Sequence, residues 1–420
     1  MNPTASPSAA EPDAAATGSP ERRPGTAPAA EKTKLPPVVW LLGAVAFIMG
    51  TSELIVAGLL PEISGAMNVS VSSAGLLITF FAIGMMVGAP AMSLATLRLP
   101  RRTAMIAALI VFAAGHVIGA LSSTMALALV GRFAAALGTG TFWAVGAAVA
   151  TAAAGPAAGT RAMGVMVGGV TVANIVGVPL GTAAGQLSGW QGPFWVLSVL
   201  SLAAAVVIAR KLPADTGAGD SSLRDEIGAL KRPRLWLVYL AIALVQGGLL
   251  AVFSYIAPLL TERAHLAGAV VPLVLLAYGV GALAGTTVGG RLGDRRPYAT
   301  LIPATVLMAV LLGAITLWAT NSVVAVVLVV LLGGAGFSTN PIVVGQVVRV
   351  GGAGRSLPMA FANSAFQVGI AAGSWFGGMA LTSSLDLKGP SLAGLVFALA
   401  ALLPLGLLAA SQRTAASAQD

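Results

Sequence analysis

Apolar residues run through this chain in long blocks of about twenty, each closed by a short polar break. The blocks fall near 38–60, 74–97, 103–122, 125–151, 161–185, 193–209, 235–260, 270–290, 299–319, 322–346, 358–381 and 391–410. Inside a block the apolar character is continuous rather than alternating, which excludes transmembrane β-strands. A run of roughly 20 apolar residues, rising about 1.5 Å per residue, crosses the hydrocarbon core as an α-helix. The pattern predicts an all-α membrane protein of twelve transmembrane helices. Breaks such as Ser122–Thr124 and Thr320-Asn321 are short, so neighbouring helices should form tight hairpins.

The longest internal polar stretch, 210–234, carries Arg210, Lys211, Asp215, Asp220, Arg224, Asp225, Glu226, Lys231, Arg232 and Arg234. It divides the spans six and six. The expected plan is a disordered tail over 1–35, a helical bundle over 36–209, the linker 210–234, a second bundle over 235–410 and a short tail over 411–420. The first tail is rich in Ala, Pro, Ser and Gly and has no apolar core of a signal peptide. The halves echo each other. Gly177, Gly181 and Gly185 in span five recur in span eleven as Gly369, Gly373 and Gly377, and Arg101-Arg102 recur as Arg295-Arg296. Glycines four apart make a smooth helix face that lets backbones approach. The recurrence points to a duplicated six-helix unit, the plan of transporters that rock two halves about a central site. Gly181 and Gly373 are expected where their spans meet a helix of the opposite half.

Charged residues make up 9% of the 420 and hydrophobic ones 57%, against about 25% charged in a soluble domain. The net charge of +9 would suit a nucleic-acid partner, but its distribution argues otherwise. Of 23 Lys and Arg, Arg132 lies inside a span, and with the N-terminus inside only Arg263 and Lys388 fall on outer loops. That is the positive-inside pattern, which predicts cytoplasmic termini and contact with the lipid bilayer, not with nucleic acid. Without cysteine, and with His116 and His265 the only histidines, neither disulfides nor a metal centre is expected. The chain lacks GxxxxGK[ST], so ATP is not the expected energy source. No catalytic cluster appears, and neither an enzyme nor a cofactor is expected.

Glu53 is the acidic residue that interrupts an apolar run. A carboxylate at membrane depth costs about 2.5–3.5 kcal/mol on insertion scales, and chains that keep one use it for protons, ions or substrate. Arg132 is its natural partner: each lies seven residues from the outer end of its run, or about 10 Å below that boundary. His116 reads as a packing residue. Phe142, Trp143, Asn174, Gln246, Tyr255, Tyr278, Asn340, Asn363 and Gln367 are the polar and aromatic groups that could face a cavity, and aromatics with isolated amides suit a bulky, largely apolar ligand. Each could instead serve helix packing. Pro179, between Gly177 and Gly181, should kink span five. Gly290, with Asp294, Arg295 and Arg296, closes span eight on the cytoplasmic side, where Asp294 could bond another helix in one conformational state and release it in the other. The corresponding place in the first half holds Leu97.

These motifs resemble the major facilitator superfamily across 36–410. Gly290 through Arg296 is similar to its loop signature G-x-x-x-D-R-R, and Gly131-Arg132 through Gly138 to its fourth-span motif R-x-x-x-x-x-G. Asn174 through Thr182 is similar to the fifth-span antiporter motif, with Val178-Pro179 in place of Gly-Pro. Thr51-Ser52-Glu53 followed by Gly58-Leu59-Leu60-Pro61-Glu62 resembles the first span of twelve-span drug:proton antiporters. Leu97, Leu99-Pro100-Arg101-Arg102 and Phe253-Ser254-Tyr255-Ile256-Ala257-Pro258 resemble the chloramphenicol-exporter and arabinose-efflux-like branch. The resemblance implies two pseudo-symmetric six-helix bundles in a bacterial plasma membrane. It also implies a carrier, expected to be monomeric, that exchanges protons for a small amphipathic compound such as chloramphenicol. Export of sugars or nucleosides and nutrient uptake are alternatives. A membrane sensor or channel is a reading of another class, which a fused soluble domain would have favoured.

Overall fold

The computed structural model describes residues 35–96, 99–155, 158–212, 228, 230–352 and 356–416. The tail 1–34, most of the linker and Leu97 lie outside the described residues. Among those described, the regular structure is helical. Spans one to four are Pro37–Gly58, Val71–Thr96, Arg101–Leu121 and Met125–Ala154. Span five is Gly159–Val172 and Val178–Ser188, joined by a π-turn over Ala173–Gly177. Span six is Gln191–Lys211, and span seven is Pro233–Phe253, continued by Ile256–Pro258 and a π-turn over Leu259–Arg263. Spans eight and nine are Val271–Arg295 and Pro297–Trp318. Ser322–Ser338 with Asn340–Gly351 forms span ten, Ser356–Leu381 span eleven and Gly389–Ala416 span twelve.

Eleven of these, among the described residues, are long and apolar enough by composition to cross a membrane. Span eleven is the exception. It has the length, but Asn363, Ser364, Gln367 and Ser374 lower its hydropathy. Its place explains the polarity, since it packs on span seven in its own half and on span two of the other.

The packing repeats. Span one packs on five, two on four, and three on four and six. In the second half seven packs on eleven, eight on ten, and nine on ten and twelve. The contacts between halves, two with eleven and five with eight, follow the same pseudo-symmetry. The glycine stripes do not lie between the halves, contrary to the expectation for Gly181 and Gly373. Gly177, Gly181 and Gly185 face Thr51, Ile55 and Leu59 of span one, and Gly369, Gly373 and Gly377 face Ala243, Gly247 and Ala251 of span seven. In the second half the missing β-carbons bring spans seven and eleven into near-backbone contact, and in the first they leave room for the span-one side chains against span five.

The apolar core is divided in an informative way. One cluster spans both halves at the end that carries Leu60, joining Ile55–Ile63 and Ala74–Ala82 to Leu249–Ala264 and Val271–Tyr278. At the opposite end, which carries Pro37, each half has a core of its own. The first half gathers Val39–Met49 with Met105, Phe112 and Phe142. The second gathers Leu235–Ile242 with Leu301, Val343 and Leu405. Because apolar burial drives association, the halves are joined at the Leu60 end and parted at the Pro37 end.

Candidate functional site

Glu53 sits in span one between the two kinds of core: Met49 belongs to the first-half core, Ile55 to the shared one. Its side chain is partly exposed. The carboxylate oxygen Oε1 accepts a hydrogen bond of 3.0 Å from Nε2 of Gln367, on span eleven of the other half. Gln367 also lies at the boundary, between Ala365 of the second-half core and Ile370 of the shared core. It is 4% exposed, and its own Oε1 is buried without a partner.

Arg132 reaches the same stretch of span one but binds it differently. Its guanidinium is 1% exposed. Nη1 donates to the Ser52 carbonyl at 2.9 Å and the Ser52 hydroxyl at 3.2 Å. Nε donates to the Leu77 carbonyl at 3.3 Å, and Nη2 to the Glu53 backbone carbonyl at 3.4 Å. The Phe81 ring lies 4.2 Å from the guanidinium carbon, a cation–π distance. Among the described residues these hydrogen bonds go to the backbone and to Ser52, not to the Glu53 carboxylate. Arg132 therefore ties spans one, two and four together beneath the acid. His116 completes the network. Its Nδ1 donates to the Phe112 carbonyl at 2.9 Å, so Nε2 accepts from the Ser52 hydroxyl at 2.8 Å. Both ring nitrogens have partners, and the ring packs on Phe112 and Phe194.

The remaining polar and aromatic positions divide by surroundings. Phe142 is part of the first-half core, with the Trp143 ring edge-on at 6.0 Å. Tyr255 donates to the Ser374 carbonyl at 2.9 Å and packs on Gly75 and Gly378 where the halves meet. Tyr278 lies in the shared core, 4.8 Å from the Phe253 ring and 6.2 Å from the Phe337 ring. Asn174, Gln246 and Asn340 each keep a buried side-chain oxygen with no partner. Asn363 is one turn from Gln367 on span eleven, on the same helix face.

Pro179 distorts span five through the turn before it. Proline cannot donate to the carbonyl four residues back, and the ladder widens into the π-turn at Ala173–Gly177. That turn meets the other half: a β-carbon on Gly279 would lie 2.7 Å from the Asn174 carbonyl oxygen and from Ile175 Cα. Gly290 and Asp294 line a small cavity at the Pro37 end with Pro341, Gln346 and Arg349. Asp294 and Arg296 are exposed, and the Arg295 side chain lies outside the described residues.

Several contacts were not apparent from sequence. Ser72 donates to the Gly378 carbonyl at 2.8 Å, Ser374 to the Gly75 carbonyl at 3.2 Å and Gln186 to the Gly268 carbonyl at 3.0 Å, all between halves near the Leu60 end. Paired serines and glycines in spans two and eleven were the available signal. Arg263, 6% exposed, donates to the carbonyls of Thr316 and Leu387.

Residues 42–374 match the sequence profile of the Major Facilitator Superfamily. A chloramphenicol resistance protein of Streptomyces lividans is 35% identical over 374 residues, covering 88% of this chain and 95% of that one. A probable sugar efflux transporter of Mannheimia succiniciproducens is 29% identical over 275 residues, 65% of this chain and 69% of that one. Among solved structures, a bacterial homologue of the human lysosomal transporter Spinster, inward-facing and unoccupied, superposes with a TM-score of 0.74. It covers 90% of this chain and 97% of its own at 16% identity, a likeness of fold.

Proposed function

This chain belongs to the Major Facilitator Superfamily and is a multi-pass membrane transporter, and from that premise we propose that it exports a small amphipathic compound in exchange for protons. The place of Glu53 carries the reading. It is a carboxylate in the middle of a span rather than at its end, it is partly exposed, and it meets the opposite half where the joined and parted regions divide. A group at that line is the one whose access changes when the halves rock. Antiport requires that proton and substrate compete for one site, or nearly so. A carboxylic acid against a neutral amide meets that requirement: a substrate that takes the amide or the acid displaces the proton.

The positive-inside pattern supports placing the Pro37 end and both termini in the cytoplasm of a bacterial cell. With that orientation the parted end is the inner one, and the conformation is ready to receive substrate from the cytoplasm. Arg132 then orients span one and supplies a fixed positive charge near the acid, and Asn363 lies on the approach from inside. The carrier is proposed to act as a monomer, since each half finds its partner within the same chain.

Chloramphenicol-like compounds are the substrate class favoured by the 35% identical relative. A second reading, export of sugars or nucleosides, draws on the sugar-efflux relative and on the unpaired oxygens of Asn174, Gln246 and Asn340, which would accept hydrogen bonds from hydroxyls. The test is transport into inside-out vesicles driven by an imposed pH gradient, with chloramphenicol and a panel of sugars and nucleosides as solutes. Gradient-driven uptake of chloramphenicol, lost in Glu53→Gln, supports the first reading. Uptake confined to sugars or nucleosides would replace it with the second.

A further inference from the structure

Four hydrogen bonds described above run between the halves, and three of them end on backbone carbonyls near the Leu60 end. The donors are serine hydroxyls and one glutamine amide, none of which changes charge. The fourth, Gln367 to Glu53, is different in place and chemistry. It lies innermost, at the line where the shared core gives way to separate ones. Its acceptor can take a proton. An ionised carboxylate only accepts, so the amide must present its nitrogen, as it does here. Such a charge-assisted bond is about twice as strong as a neutral one. Once Glu53 is protonated the bond becomes neutral, either with the carbonyl accepting or with the amide turned over to accept from the acid.

We propose that Gln367 is the latch of the transport cycle: it holds ionised Glu53 across the two halves and so keeps the empty, deprotonated carrier closed at the Leu60 end. Two events release it. A substrate entering from the parted end competes for the amide or the carboxylate, or a proton neutralises the acid. The carrier therefore changes state loaded with substrate or with a proton, and the empty crossing that would short-circuit the gradient is suppressed. Among the described residues, the elements packed around this pair carry few titratable groups. Span four contributes Arg132, which lies beneath Glu53 on its backbone, and span three His116, through Ser52. Span seven offers Tyr255, whose hydroxyl is held by Ser374, span eight Tyr278, packed among aromatic rings, and the short helix Leu60–Met67 carries Glu62. The unpartnered Oε1 of Gln367 fits the same role, since a latch must offer an approaching donor a place to bind. A glutamine that only lined the cavity would not need to meet the acid.

The inference rests on the proton-coupled reading above, and its test separates the two. The full chain is reconstituted in liposomes containing a pH-sensitive dye, a pH gradient is imposed and no substrate is added. The wild type should leak protons slowly, while Gln367→Met should leak about tenfold faster, the ratio expected for losing one hydrogen bond to a charged group. Gln367→Met should elute as a single species in detergent and melt close to the wild type, which shows that it is folded. The absence of cysteine allows a second measurement, with spin labels at Ala66→Cys and Ser383→Cys on the two halves at the Leu60 end. In the otherwise unaltered chain, raising the pH should narrow the distance distribution toward the closed state, and Glu53→Gln and Gln367→Met should each remove that response. An unchanged leak in Gln367→Met with weakened substrate affinity would overturn the latch and leave Gln367 a substrate contact. So would a pH response that survives in Gln367→Met. If the wild type shows no pH-gradient-driven transport, the coupling reading itself fails.

Discussion

Arg132 and Glu53 share a depth in the membrane and a stretch of span one, yet the arginine holds carbonyls rather than the acid. A planar guanidinium directs several donors at fixed angles, which a lysine ammonium cannot reproduce. Arg132→Lys should therefore lower the thermal midpoint of the detergent-solubilised protein, by the equivalent of about 1–3 kcal/mol for buried groups left unpaired. Glu53→Gln, which keeps an acceptor for Gln367, should melt close to the wild type. Equal melting of Arg132→Lys and the wild type would remove the staple role. At this scale the sequence was half legible. The acid stood out because an apolar run makes any charge conspicuous, and equal residue counts along two helices brought Arg132 to the right height. Height along a helix says nothing of rotation about it or of competing acceptors, so the carbonyl contacts and the Ser52–His116 bond were out of reach. The pairing with Gln367 depends on how two bundles meet 314 residues apart in the chain, and no local pattern encodes that.

The glycine stripes can be told apart by what lies opposite. A β-carbon on Gly373 would meet the Gly247 carbonyl oxygen and lie 3.0 Å from the Ala251 nitrogen, both backbone atoms that cannot step aside. At Gly181 it would meet the end of the Ile55 side chain, which can change rotamer. Gly373→Ala should thus cost about 1–3 kcal/mol, the usual range for overpacking, and reduce transport, while Gly181→Ala should be nearly silent. Thermal midpoints and uptake rates of the two variants, measured side by side, check this. If the two behave alike, the distinction between backbone and side-chain neighbours is wrong. The helices themselves were legible because continuous apolar runs have one solution in a bilayer. Their interruptions were less so. The kink at Pro179 was foreseen, but not that a π-turn would carry it, and the break at Ser254-Tyr255 left no mark in the hydropathy of span seven. The stripes were visible, but their partners were misassigned, because four-residue spacing identifies a smooth face without saying which helix lies against it.

Across the whole molecule, the duplicated offsets in glycine and arginine reappear as duplicated packing, in which each pair of spans in one half has its counterpart in the other. A structure built this way can exchange which end is joined and which is parted, because pseudo-symmetry makes the two arrangements similar in energy. The orientation proposed from the basic residues has a simple check: reporter fusions at Ala30, Gly217 and Ala416 should all report the cytoplasm. One fusion reporting the outside would break the even count of spans or reverse the carrier. The central claim is that substrate binding displaces the proton of Glu53 into solution, and proton release on substrate binding tests it most directly. Chloramphenicol, or whichever solute the vesicle panel identifies, is added to detergent-solubilised protein in weakly buffered solution near neutral pH, and the proton change is followed with an indicator dye. The account predicts release of protons by the wild type and none by Glu53→Gln, although the variant still binds the compound. Equal release by both would contradict it and move the proton to another group.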